Sequence, residues 1–312
     1  MSFQQNILET HQFPSTGWLE IDLETYEGIY FSLCETKFSV LARKENGIGI
    51  KSLYKSIQLV WPIWQEIFPV PVPRITIVDA NYPLGGGVLD QYAVGIYLGD
   101  FEFDENTKNY LYNTLSWDHQ NTAKDYIKSC YSKFSDPFEA YVTNQVIHEL
   151  GHIYFLNGIR KISPNSQSAP QTWFGLGLGI VYDEIIWMKI YKNTSPKLDA
   201  YVETYTKKYL NRRDLDQRLI KSNDSAENIS KDKKEKSNQN NLIQLQMFDH
   251  IKSFLFLKDF RENIGEIIFD NKVLSYLKDS NNSEVSYEDF LSNFNNTNLA
   301  LIKKIENKHL IR

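Results

Sequence analysis

The chain has 312 residues, 42% hydrophobic and 14% aromatic, enough for a buried core in one large domain or two, so chain-wide disorder is excluded. A formal net charge of −5 argues against a nucleic-acid or anionic-membrane partner, which calls for a basic excess. The cysteines Cys34 and Cys130 are too few for a disulfide framework or a thiolate metal cluster, so histidine metal chemistry must draw on His11, His119, His148, His152, His250 and His309.

The first residues lack a basic stretch followed by an apolar run, the mark of a secretory signal. Residues 18–23 and 37–42 alternate like half-buried strands, and residues 51–68 read as a helix that Pro62 should kink or break. Residues 74–79 form a predicted strand after Val70-Pro71-Val72-Pro73, and 93–98 another after Gly85-Gly86-Gly87. Helices are predicted over 106–117, 122–134, 137–157, 173–192 and 197–210. The longest apolar stretch, 174–182, carries glycines and runs into Asp183-Glu184, so it is too short to span a bilayer. Residues 221–241 have only Ala226 and Ile229 as apolar side chains and read as a polar linker or loop. Residues 242–312 show amphipathic helical periodicity, with a capping box at Ser286-Tyr287-Glu288-Asp289. The expectation is a soluble, cytoplasmic chain without a transmembrane segment, with signal-less export left open.

One pattern carries chemistry: His148-Glu149-Leu150-Gly151-His152. Residues four apart share a helix face, so both imidazoles can reach one ion, and zinc takes such nitrogens at about 2.0–2.1 Å. Glu149 lies on the edge of that face, placed to take a proton from a water that the ion activates. The local sequence favours the helix this requires. Asp136 is a good N-cap, Pro137 suits the first turn, Glu139 completes a capping-box arrangement and Asn157-Gly158 is a stop. The flanks Val146-Ile147 and Ile153-Tyr154-Phe155 are apolar, and polar groups on a buried helix are costly unless they have partners or a task. The plain alternative is a helix whose His and Glu side chains are satisfied by hydrogen bonds.

With this motif the chain resembles the zincin metallopeptidases, in particular the gluzincin branch of the thermolysin and aminopeptidase N type. A second stretch, Trp173-Phe174-Gly175-Leu176-Gly177-Leu178-Gly179, resembles the second active-site helix of that branch, where the pattern runs Trp-x-x-Glu-Gly-x-Ala. The resemblance covers residues 70–210. It implies an α+β, zincin-like catalytic domain over 1–210 with its core at 70–210, a linker at 211–241 and a helical C-terminal region at 242–312. It also implies zinc as cofactor, a peptide or protein as substrate, His148 and His152 as ligands and Glu149 as general base. The family's third ligand falls on Leu176, which cannot bind zinc, whereas catalytic sites have three protein ligands. A metzincin-type third histidine is absent, the next being His250. Glu184 is therefore the first choice for third ligand and Asp183 the second, followed by Asp199 and Glu203. Both Glu184 and Asp183 can equally form a salt bridge or orient a histidine from behind.

Other signals are weaker. Gly85-Gly86-Gly87 leads either into a substrate-pairing edge strand or into a plain hairpin connection, and the Gly-Ala-Met-Glu-Asn motif of aminopeptidases is missing. Tyr182, Tyr201 and Tyr205 are oxyanion candidates by position alone, and His119 reads as a surface or capping residue. The C-terminal helices are expected to wall a cleft or recruit a protein partner. Two other functions stay open at this level: a metallopeptidase-like fold that no longer cuts and serves as a binding or regulatory module, and a metal-dependent hydrolase of non-peptide amides.

Overall fold

The computed structural model describes residues 26–79, 86–98, 108, 122–161, 169–208, 248–279 and 284–309. The expected strand 18–23, the linker at 211–241 and nearly all of the helix 106–117 lie outside them. By contact the chain falls into two units, residues 1–107 with 120–153, and residues 108–119 with 154–312. Together they make an α+β protein, with a five-stranded mixed sheet in the first unit.

The first unit begins with a hairpin, β1 (Tyr26–Leu33) and β2 (Thr36–Arg43), paired antiparallel from Tyr26↔Arg43 to Leu33↔Thr36. Its two-residue turn is Cys34-Glu35, with φ of 49° and 64°. Two left-handed central residues are the geometry of a type I′ turn, whose twist matches that of the strands. Helix α1 (Gly47–Ile67) follows, then β3 (Arg74–Asp79), β4 (Gly86–Asp90) and β5 (Ala93–Ile96). The sheet order is β1-β2-β3-β5-β4, with β3 parallel to both β2 and β5, and β4 antiparallel to β5 on the edge. All four residues of β5 are buried, as suits an inner strand covered on both faces.

Helix α1 buries Leu53, Ile57, Val60, Trp61 and Trp64, the three- and four-residue spacing of one helical face. The Trp61 ring meets Phe38 of β2 edge-on, centroids 5.6 Å apart. Pro62 does not break the helix. Proline removes a bond to the carbonyl four residues back, and that carbonyl belongs to Gln58, an exposed position where water can take over.

The ends of β2 and β3 are tied by a buried charge pair. Asp79 is fully buried and accepts from Arg43 Nε and the Arg43 backbone N–H, both at 3.2 Å, and from the Leu98 N–H at 3.2 Å. Removing one partner of a buried pair strands the other. Asp79→Ala is expected to cost about 3 kcal/mol, the low end for such a loss because the Arg43 side chain keeps 21% exposure and can turn to water. Urea unfolding measures it, and a loss under about 1 kcal/mol would mean the pair holds nothing that water cannot. Helices α2 (Ala123–Cys130) and α3 (Pro137–Phe155) complete this unit up to Ile153, and Thr122 caps α2 by accepting from the Asp125 N–H at 3.1 Å.

The second unit, as far as it is described, is helical: α4 (Ala169–Tyr191), α5 (Pro196–Lys208), a π-helical turn (Phe248–Lys252), α6 (Ser253–Ile264), α7 (Glu266–Lys278), α8 (Tyr287–Leu291) and α9 (Asn296–His309). Its core is aromatic. Phe174 of α4 packs on Tyr287 and Phe290, both at 5.2 Å between centroids, and Trp173 on Phe256 at 5.8 Å. The residues expected in a separate C-terminal region therefore share one core with α4. Gly177 is what lets α4 and α6 approach: a Cβ there would stand 2.8 Å from both Cβ and Oγ of Ser253. Gly265, at φ 97°, makes the corner between α6 and α7. Arg160, 1% exposed, donates to the backbone carbonyls of Tyr276 and Asp279 at the end of α7, and its guanidinium lies over the Tyr276 ring. Ser286 caps α8 by accepting from the Asp289 N–H at 3.1 Å, as its sequence pattern predicts. Among the described residues, no helix is long and apolar enough to cross a membrane.

Candidate metal centre

Helix α3 carries the His-Glu-x-x-His motif, and its start is built as expected. Asp136 Oδ1 accepts from the Glu139 N–H at 2.9 Å, and Pro137 takes the first helical position, where no N–H is needed. Glu139 does not close a capping box. Its carboxylate reaches Lys55 of α1 at 3.2 Å, and a cationic partner is a stronger pull than a backbone N–H.

The rotation of α3 about its axis is set by hydrogen bonds on several sides. Thr143 shares a buried hydroxyl bond of 2.9 Å with Ser56 of α1. Asn144 accepts from the Tyr131 hydroxyl, and the Tyr141 hydroxyl donates to the Tyr97 carbonyl just past β5, both at 3.2 Å. At 3.6 residues per turn, Glu139 and Thr143 give one side of the helix to α1. Tyr141, Gln145, His148, Glu149 and His152 then form a stripe on the opposite side.

That stripe gathers the titratable groups. His148 is half-buried, His152 is 7% exposed and Glu149 only 1%. The two imidazoles lie 4.6 Å apart between centroids at an interplanar angle of 73°, and His152 Nε2 is 3.7 Å from Glu149 Oε2. One ligand atom from each of the three side chains lies within 4.8 Å of the others, so the group can hold a metal ion. Burial pushes the Tyr141 phenol up, with Tyr97 and the Glu149 carboxylate adding to it, so this hydroxyl remains a neutral donor. Two imidazole nitrogens and a carboxylate gathered on one largely buried helix face are a donor set that a divalent cation can balance.

The structure brings His148, Glu149 and His152 together in the first unit. Asp183 and Glu184, the residues expected to complete the ligand set, lie on α4 in the second. There the Glu184 carboxylate meets Lys258 of α6 at 3.3 Å. Burial pushes the Asp183 carboxyl well up, offset in part by Lys197. Leu176 is buried on the same helix. Asp199 is exposed and accepts from the Thr194 hydroxyl at 2.6 Å, and Glu203 pairs with Lys207.

Of the tyrosines considered for an oxyanion, Tyr182 donates to Asp270 at 2.8 Å, and Asp270 is also gripped by Arg261. Tyr201 and Tyr205 pack with Ile251. His119 and Gly85 lie outside the described residues. Residues 86–90 are an edge strand, joined to β5 through a turn with Tyr92 at φ 61°. Gln145 and Tyr141 were not singled out from the sequence, although counting back three and seven residues from His148 puts both on the same stripe. A scan against protein-family models matches no family, and a search of curated proteins finds no match.

Proposed function

We propose that the chain is a zinc-dependent metallopeptidase of the zincin type that hydrolyses peptide bonds. The observation that carries this reading is the buried His148–Glu149–His152 group, with its donor atoms within 4.8 Å of one another. Imidazole donors favour zinc over magnesium or calcium, which prefer all-oxygen sites. His148 and His152 hold the ion. The resemblance calls for a third protein ligand, for which Glu184 is the first candidate and Asp183 the second. Zinc in such a site polarises the scissile carbonyl and lowers the pKa of a water to about 7.

Glu149 acts as general base, taking a proton on its carboxylate and later giving it to the leaving amine nitrogen. Its burial keeps bulk water from competing for that proton. The Asp136 cap and the Ser56–Thr143 and Tyr141–Tyr97 bonds hold the helix in one register, so the three side chains keep their mutual geometry. Strand β4, on the edge of the sheet among the described residues, would offer its outer side to the backbone of an extended peptide, which would give sequence-tolerant binding.

The test is metal content joined to activity. Purified wild type is expected to carry about one zinc per chain, as a catalytic site of this kind does, with chelation abolishing cleavage of a peptide library. His148→Ala is expected to lose the metal. A wild-type protein that takes up no zinc under metal-replete conditions would sink the enzyme reading. A second reading has its own support: Leu176 stands where the family pattern has a ligand, and Glu184 is already ion-paired with Lys258. On that reading the chain is a metallopeptidase-like module that binds a peptide or protein and does not cut. Zinc uptake with no cleavage of any peptide in the library would favour it.

A further inference from the structure

Gln145 precedes His148 by three residues and Glu149 by four on α3. Its side chain is 1% exposed, and neither its amide nitrogen nor its carbonyl oxygen has a hydrogen-bond partner. A buried polar group left unmet costs about 1–3 kcal/mol, and ordering a glutamine adds about 1.5–2 kcal/mol of side-chain entropy. The residues just before it behave differently: Asn144 accepts from Tyr131, and Thr143 is bonded to Ser56. Gln145 thus differs from Asn144 and Thr143, its neighbours on the same helix.

Its position gives the amide a use. Side chains three and four apart on a helix share a face, so Gln145 stands on the same face as His148 and Glu149, one turn before them. A histidine that gives one nitrogen to a metal presents an N–H at the other, which needs an acceptor to fix the ring. A general-base carboxylate needs a donor to hold it in place. A primary amide is both acceptor and donor.

We propose that Gln145 is a positioning residue of the metal centre, its carbonyl oxygen accepting from the His148 ring N–H and its amide nitrogen donating to the Glu149 carboxylate. The proposal rests on the zinc-binding part of the metallopeptidase reading. It accounts for a buried polar side chain that no other protein group meets.

The experiment compares full-length wild type with Gln145→Met and Gln145→Leu, near-isosteric changes that remove both polar atoms. Zinc affinity is read by competition with a chromogenic chelator, and stability by thermal unfolding of the metal-free proteins. The expected result is a zinc affinity lower by about tenfold or more, the usual effect of losing such a partner. The metal-free melting temperature should hold or rise by about 2–4 °C, because an unmet amide is gone. A structural role would move the melting temperature down and leave zinc affinity alone. Affinity within twofold of wild type in both variants therefore overturns the proposal. Failure of both variants to fold overturns it too, since an amide that no other protein group meets has no folding role to lose. If wild type itself binds no zinc, the metallopeptidase reading fails first, by a different result, and the proposal falls with it.

Discussion

Glu149→Gln is expected to lower peptide-bond cleavage by about 10³-fold while the protein keeps its zinc. The substitution preserves size and shape but replaces a carboxylate that can take a proton by an amide that cannot. No neighbour on the stripe can take over. On the metallopeptidase reading His148 and His152 would be committed to the ion, and the buried Tyr141 phenol is held neutral. With Glu149 only 1% exposed, bulk water is a poor substitute as base. The lost carboxylate, whose oxygen lies 3.7 Å from His152 Nε2, would also remove an acidic group beside the proposed metal. Zinc affinity should fall slightly, but far less than in His148→Ala, where a ligand is gone. Metal analysis and single-turnover cleavage of a peptide library read the two effects separately. Cleavage within tenfold of wild type would show that the proton goes elsewhere and that the role given to Glu149 is wrong. Loss of zinc together with activity would make Glu149 a ligand instead of a base.

The motif helix was legible in the sequence because everything that makes it is local. Asp136 and Pro137 open it, a run of apolar residues buries it, and the three chemical side chains fall within one turn and a half. Of the first hairpin, the strand expected at 37–42 was legible and is β2, but β1 and the turn were not. Its turn is Cys34-Glu35, and neither residue advertises the left-handed conformation that Asn-Gly would have signalled. Pro62 misled in the other direction, because tolerance of its missing bond depends on Gln58 facing water, which is a tertiary fact. The site divides the same way. His148, Glu149 and His152 could be read from spacing alone. The pairing of Glu184 with Lys258, 74 residues away, could not, and neither could the lack of partners at Gln145, because satisfaction of a polar group depends on what packs over it.

Phe290→Ala is expected to cost about 4 kcal/mol, in the upper range for truncating a buried phenylalanine. Its ring is fully buried and lies 5.2 Å from Phe174 and Phe294, 5.7 Å from Phe269, 5.8 Å from Tyr276 and 6.1 Å from Phe260. Those rings come from α4, α6, α7 and the turn after α8, so the vacated volume is bounded by separate elements. Collapse into it is resisted because each wall is fixed elsewhere. Arg160 pins Tyr276, and the contact of Gly177 with Ser253 leaves α4 no room to move toward α6. Helix α8 has only five residues and cannot persist alone; the Ser286 cap, the 2.8 Å bond from Tyr287 to Glu306 and Phe290 hold it. Urea unfolding should show the loss, with near-ultraviolet circular dichroism reporting the aromatic environment. A loss below about 1.5 kcal/mol would show that the site collapses easily, and that α8 decorates α4 without supporting it. The larger loss would make residues 284–309 part of the framework that presents α4, the helix carrying Leu176, Asp183 and Glu184, instead of an appendage free to recruit other proteins.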